Sequence, residues 1–317
     1  MKIPEWLNTD STIYQKINDE YKEVLWGLRL VNLEHSWKKY SLSNVTVAVI
    51  DSGLEYSHED FDNTIKSGYN FLHKNIDIGD NLGHGTGVVG VLAAVPNNSI
   101  GIAGAAYGAK IIPLKVIDTN GSADIGVVIE ALDWCLEQDV DIVNISMGIV
   151  DKVIMQRGYT WQSYIKKMQM SIDALSRKGV IVISAIGNSK NSNMDIPACF
   201  DKVIAVGAVG INESGELYVP QFNNKGNAET IYAPGEKILT TLVGNTYGFL
   251  DGTSLSAAFV TAANVYAKAI NPEIDVWKAK EKILKSAGSL YYRGKEYKML
   301  NIDGYISEIE DNKHGKN

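Results

Sequence analysis

Apolar residues alternate along most of the chain between short unbroken runs and longer stretches with helical spacing. Residues 45–50 form a continuous, mostly β-branched run. Similar runs stand at 110–117, 142–147, 180–186 and 203–209. A strand without polar alternation is covered on both faces, as in a parallel sheet. Helical patterning falls at 84–95, 124–138, 163–178, 254–270 and 274–287, and a helix-like stretch lies near 10–24. Residues 230–250 read as shorter strands and turns. This alternation predicts an α/β fold: a mostly parallel sheet with helices on both faces, in three layers. Residues 1–44 read as a mixed N-terminal extension and 45–287 as one domain. Residues 288–317 read as a polar C-terminal segment packed on the domain or trailing from it.

Charge narrows the partners. The chain of 317 residues carries 30 Lys+Arg against 37 Asp+Glu, a net charge of −7, with no dense basic run. That argues against nucleic acid. No apolar run approaches the roughly 20 residues of a membrane span. The start, with Asp10, Glu20 and Glu23, lacks the apolar stretch of a secretion signal. The two cysteines, Cys135 and Cys199, form no C-x-x-C pair, which argues against zinc and thioredoxin chemistry. Sparse cysteine and the missing signal together predict a cytoplasmic protein.

Open parallel sheets place their sites at the carboxyl ends of strands. Asp51 ends the first predicted strand, His84 opens a helix after Gly83, and Ser254 opens another after Gly252-Thr253. An acid, an imidazole and a hydroxyl are the parts acyl transfer requires. Ser254 would be the nucleophile and His84 its base. Asp51 would hold the imidazole tautomer and stabilise the imidazolium. Singly, each has an ordinary structural reading: a helix cap, a structural histidine, a turn. The three together favour catalysis.

D-S-G at 51–53, H-G-T-G at 84–87 and G-T-S-L-S at 252–256 resemble the three signatures of the subtilisin-like serine proteases, in the family's order. The resemblance runs from about residue 27 to about residue 270. It implies that family's three-layer fold and a serine endopeptidase working through an acyl-enzyme, with an extended polypeptide as substrate and no organic cofactor. Ser184-Ala185-Ile186-Gly187-Asn188 resembles the oxyanion segment, with the Asn188 amide and the Ser254 N–H as donors. Three positions depart from the family pattern. Ala258 stands where Pro is usual, Asp251 where Asn is common, and Ile186 where a small residue is usual.

The resemblance also implies substrate and metal subsites. Ser146, Met147 and Gly148 match one wall of the pocket for the residue before the cut. Asn120, Gly121 and Ser122 match the edge that pairs with extended substrate. Asp195 falls near the base of that pocket, where a carboxylate would select Arg or Lys; a solvated loop Asp is the alternative. Calcium is implied as a structural ion, held by the Asp60 and Asn98 side chains and by the carbonyls of Pro96, Ile100 and Ile102. Lys22 or Glu23 falls where the family has an amide ligand, and a turn needing only Asn and Gly is the alternative. Residues 150–163 look like an insertion whose Tyr159 and Trp161 either overhang the groove or pack on the surface.

Two settings suit such a chain: a processing peptidase removing the leader of a precursor such as a lanthipeptide, or a general intracellular degradative enzyme. A silent peptide-binding pseudoprotease is a third reading. A nucleotide-binding enzyme is disfavoured, because the first strand leads into D-S-G-L-E-Y-S rather than G-x-G-x-x-G.

Overall fold

The computed structural model describes residues 17–149, apart from 34 and 38, and 159–314. Its main sheet is built on β1 (Thr46–Asp51), β3 (Lys110–Lys115), β4 (Ile142–Ile145), β5 (Ile181–Ala185), β6 (Val203–Ile211) and β8 (Ile231–Pro234). These six strands are the predicted apolar runs and the first of the shorter strands. They lie parallel in the order β8-β6-β5-β4-β1-β3. The short β2 (Tyr69–Asn70) extends one edge. β7 (Leu217–Tyr218) pairs antiparallel with β6. A separate hairpin joins β9 (Ile238–Leu242) to β10 (Thr246–Leu250).

The three layers follow from strand alternation. Val47 and Val49 of β1 face one core, shared with α2 (His84–Ala93) and α5 (Thr253–Ile270). Ala48 and Ile50 face the other, shared with α3 (Ile125–Glu137) and α4 (Tyr159–Arg177). The small residues of α2 and α5 let both helices approach closely. A Cβ on Gly90 would lie 2.5 Å from the Thr240 hydroxyl oxygen. Among the described residues no helix is long and apolar enough to cross a membrane.

Both flanking segments are part of this framework. Among the described residues a 3₁₀ turn (Lys22–Val24) precedes α1 (Trp26–Leu30); of the helix suggested over 10–24, residues 10–16 lie outside the described residues. Trp26 is only 1% exposed, and its indole N–H donates to the Lys237 carbonyl over 3.2 Å. The C-terminal segment 288–317, read as polar and either packed on the domain or trailing from it, contributes to the sheet and the core over its described residues. After α6 (Val276–Lys285), β11 (Gly288–Tyr292) and β12 (Lys295–Met299) form a hairpin, and β12 joins the sheet beside β8. In α7 (Ile302–His314), Ile302, Tyr305, Ile306 and Ile309 recur at helical spacing and are buried. Asp303 of α7 accepts from the His35 N–H, the Ser36 N–H and the Ser36 hydroxyl. The segment before β1 is thereby tied to α7.

Candidate active site

The strands β1, β4 and β5 end at one edge of the sheet, and the site is assembled there. Asp51 is the last residue of β1 and His84 the first of α2. The Asp51 Oδ1 accepts from His84 Nδ1–H at 2.7 Å and from the Ser52 N–H at 2.7 Å. That bond fixes the proton of His84 on Nδ1 and leaves Nε2 as the basic nitrogen. The contact requires glycine at 85: a Cβ there would overlap the Gly53 carbonyl oxygen and stand 3.2 Å from the Asp51 Cβ.

A second buried acid delivers the histidine. Asp80 Oδ1 accepts from the Leu82 N–H, the Gly83 N–H and the Ser52 hydroxyl. Its Oδ2 accepts from the N–H and hydroxyl of Thr86. Ser52 Oγ in turn accepts from the Gly85 N–H, and Lys115 Nζ donates to the Ser52 and Gly79 carbonyls. Burial pushes the Asp80 carboxyl up, but the Thr86 hydrogen bonds and their companions outweigh it and hold the group below the usual range. Burial pulls His84 down, while the charge and hydrogen bond of Asp51 raise it. The net shift is upward, and the imidazole keeps 31% side-chain exposure.

Ser254 stands in the first turn of α5, behind Gly252 at φ 151° and ψ 155°, a region essentially reserved for glycine. Its hydroxyl donates to the Ser146 carbonyl at 2.9 Å, so it faces the wall rather than His84. Catalytic hydrogen bonds in a free enzyme are often unformed until substrate arrives. Asn188 Oδ1 accepts from the Thr253 N–H at 3.0 Å and the Thr253 hydroxyl at 2.9 Å, which fixes the amide orientation. A Cβ on Gly252 would lie 3.1 Å from Asn188 Nδ2 and 3.8 Å from the Ser254 nitrogen. Two donors therefore border the space this glycine leaves open, the arrangement an oxyanion needs.

Asp195 is buried, with 5% exposure, rather than solvated. It sits between two glycines. A Cβ on Gly148 would be 2.5 Å from the Asp195 Cβ, and one on Gly187 would overlap Oδ2. Asn224 Nδ2 donates to Oδ1 at 2.8 Å. Burial raises the carboxyl, opposed only by the neutral amides of Asn224 and Asn191. Ser146, Met147 and Gly148 follow β4, and Ile149 bridges to Ile196 beside Asp195. Asn120, Gly121 and Ser122 lie exposed on a turn pinned by Asp118, which accepts from the N–H groups of Asn120 and Ser122 at 2.9 Å each. A Cβ on Gly121 would stand 4.0 Å from Leu82.

At the implied calcium loop, both oxygens of Asp60 are engaged. Oδ1 accepts from Asn98 Nδ2 at 2.7 Å and Oδ2 from the Ile102 N–H at 2.8 Å. Asn98 Oδ1 accepts from the Ile100 N–H. Where the sequence offered Lys22 or Glu23, the structure brings Asp19, which accepts from the Asn98 N–H at 3.1 Å. Burial pushes Asp60 up to about 6, and the Asp19 charge adds to the rise. Among the described residues no group of three or more His, Cys, Asp or Glu is placed to hold a metal. Carboxylates, an amide oxygen and the carbonyls of Pro96, Ile100 and Ile102 are the chemistry calcium prefers. To admit the ion, Asn98 must turn its amide oxygen inward.

Residues 150–158 and the Tyr159 side chain lie outside the described residues. Trp161 is half-buried beside Tyr164 against the core under α3 and α4, which is the surface-packing alternative. Ala258 is buried in α5, and Ile186 packs with Ala198 and Ala205. Asp251 accepts from the Lys237 N–H. Sequence reasoning missed Asp80, whose role appears only once the loop folds its carboxylate against Ser52 and Thr86. It also missed Asn224, whose role depends on contacts distant in sequence.

A buried carboxylate aligning an imidazole, a serine at a helix start and two converging donors define a serine hydrolase of the acyl-enzyme class. The subtilase family model, Peptidase_S8, matches residues 43–307. The chain belongs to the subtilase family of serine endopeptidases. It is 29% identical to the thermophilic serine proteinase of Bacillus sp. strain AK1, over 91% of this chain and 68% of that protein. It is 33% identical to subtilisin E of Bacillus subtilis, over 81% and 64%. It is 32% identical to the major intracellular serine protease of Bacillus subtilis, over 80% and 78%. The crystal structure of fervidolysin from Fervidobacterium pennivorans, a keratinolytic enzyme related to subtilisin, superposes with a TM-score of 0.78 at 23% identity. That alignment covers 95% of this chain and 47% of the other, and it shows the shared fold.

Proposed function

We propose that this chain is a site-specific processing endopeptidase that cuts an extended polypeptide after Arg or Lys, as in removing the leader of a precursor peptide. The observation that carries the specificity is Asp195, a buried carboxylate between Gly148 and Gly187 whose neighbours are neutral amides. A buried carboxylate without a counter-charge is costly, and an arriving guanidinium or ammonium relieves that cost.

Substrate lies along the turn at Asn120, Gly121 and Ser122 and the wall at Ser146, Met147 and Gly148, pairing by its backbone. Ser254 Oγ turns from the Ser146 carbonyl toward His84 Nε2, gives it the proton and attacks the carbonyl carbon. Asn188 Nδ2 and the Ser254 N–H receive the oxyanion. The imidazolium, stabilised by Asp51, protonates the leaving amine, and water then hydrolyses the acyl-enzyme by the same steps in reverse. Intact catalytic and oxyanion groups disfavour a silent pseudoprotease.

Calcium belongs to the proposal as a structural ion at Asp60 and Asn98, with Asp19 as an added carboxylate. It would cross-link the loop to the N-terminal segment and takes no part in the chemistry. Chelator should then lower the unfolding temperature of the wild type and leave that of Asp60→Asn unchanged. A cytoplasmic setting is also proposed, supported by the sparse cysteine content and by the similarity to an intracellular protease. That similarity also favours a second reading, a general degradative enzyme. Cleavage of a randomised peptide library, read by mass spectrometry with Ser254→Ala as control, tests the choice. Cuts confined to Arg or Lys within a narrow upstream motif support processing. Broad cuts after apolar residues support degradation and reject the Asp195 pocket.

A further inference from the structure

A chain of buried hydrogen bonds runs from the middle of α5 back to its own first turn by way of β4. Thr261 Oγ1 donates to Asn144 Oδ1 at 2.9 Å. Asn144 Nδ2 donates to Ser146 Oγ at 2.8 Å. Ser146 Oγ donates to the Ser254 carbonyl at 3.3 Å, and Ser254 Oγ returns a bond to the Ser146 carbonyl at 2.9 Å. All four residues are buried. Asn144 lies within β4, and Ser146 directly follows it on the substrate wall. Ser254 and Thr261 are two turns apart on one face of α5, so the chain closes a loop between helix and strand.

Each link fixes the donor and acceptor roles of the next. As placed, the Thr261 hydroxyl donates to the Asn144 oxygen, and this bond anchors the amide in one orientation. The nitrogen must then point at Ser146 Oγ, which becomes an acceptor there and spends its own proton on the Ser254 carbonyl. Remove the Thr261 hydroxyl and the amide is free to turn. Ser146 can then donate to Asn144 instead, and the Ser254 carbonyl loses its bond to the wall, leaving only the hydroxyl bond that must break when Ser254 turns to His84.

We propose that Thr261 and Asn144 are positioning residues for catalysis: through Ser146 they hold the nucleophile in register with the substrate wall. Neither touches substrate. The pair couples the strand that binds the residue before the cut to the helix that carries the attacking oxygen. A hydrolase needs that register kept to a fraction of an ångström.

The proposal rests on Ser254 being the nucleophile, and the test separates the two claims. The rate at which a fluorophosphonate modifies Ser254 is measured by intact mass, with kcat and KM on a peptide substrate, well below the unfolding temperature. Thr261→Val keeps shape and removes the donor. It should slow phosphonylation and lower kcat by about three- to tenfold, the value of one hydrogen bond, with KM within about twofold. Thr261→Ser should restore both. Ser146→Ala breaks the last link and should cost a similar amount, and the double variant should be no worse than the poorer single one. Wild-type phosphonylation in Thr261→Val, or fully additive losses in the double variant, would overturn the proposal and leave the chain a stability contact. Failure of the wild type to label at Ser254 would overturn the assignment of the nucleophile, and the inference with it.

Discussion

Replacing Asp195 by Asn removes one charge from the base of the proposed pocket while keeping size and an acceptor for Asn224. The group is 5% exposed and its donor is a neutral amide, so little in the protein screens it from an incoming cation. At about 4 Å and an effective dielectric of about 20, a unit charge pair gains about 4 kcal/mol. Desolvating the substrate cation offsets part of this. A charge-assisted hydrogen bond nets about 1.5–3 kcal/mol, which is about 10- to 150-fold. The ratio of kcat/KM for two fluorogenic peptides differing only in Arg or Leu before the cut should fall by that factor in Asp195→Asn. The Leu peptide itself should change by less than about threefold, since its contacts are unaltered. A pH series adds a second reading. Burial raises the Asp195 carboxyl, so the Arg preference of the wild type should begin to fade at a pH above the ordinary carboxylate range as the group protonates. An Arg-to-Leu ratio that is the same in wild type and variant, at every pH, refutes the reasoning and removes Asp195 from the pocket.

The remaining expectations follow from the same geometry. His84 acts as a base only when neutral, and its proton is held more tightly than usual by Asp51, so the acid limb of kcat/KM should lie above the ordinary histidine value of 6.5; a limb below that value contradicts the assigned pair. Asn188→Ala should lower kcat by about 10²–10³-fold with KM little changed, the loss recorded for the corresponding donor in subtilisin itself. Trp26→Ala should cost about 3–5 kcal/mol in denaturant unfolding, because the indole is fully buried and its N–H is bonded to Lys237; a change under about 1 kcal/mol would show that the N-terminal segment is only loosely attached.

Much of the central architecture was legible because it depends on local pattern. Short apolar runs rich in β-branched residues at 45–50 and 203–209 favour strands covered on both faces, and they form β1 and β6. Asp51, His84 and Ser254 were legible because each sits in a short motif at the start or end of an element. The Asp51–His84 bond then followed from the strand end meeting the helix start. What escaped was set by contacts remote in sequence. Thr261 looks like one more small residue in an apolar helix, and only its meeting with Asn144, across 117 residues, gives it a task. Asp19 is an ordinary acid until the N-terminal segment lies against the Asn98 loop. The strands at 288–299 alternate polar and apolar residues because they form a sheet-edge hairpin, so composition alone made them look like a tail.

The central claim is that Asp51 and His84 activate Ser254, and peptide mapping after fluorophosphonate treatment tests it most directly. The account predicts a single adduct on Ser254, absent in Ser254→Ala and formed far more slowly in His84→Ala. An unmodified wild-type chain, or an adduct on any other serine, would contradict it.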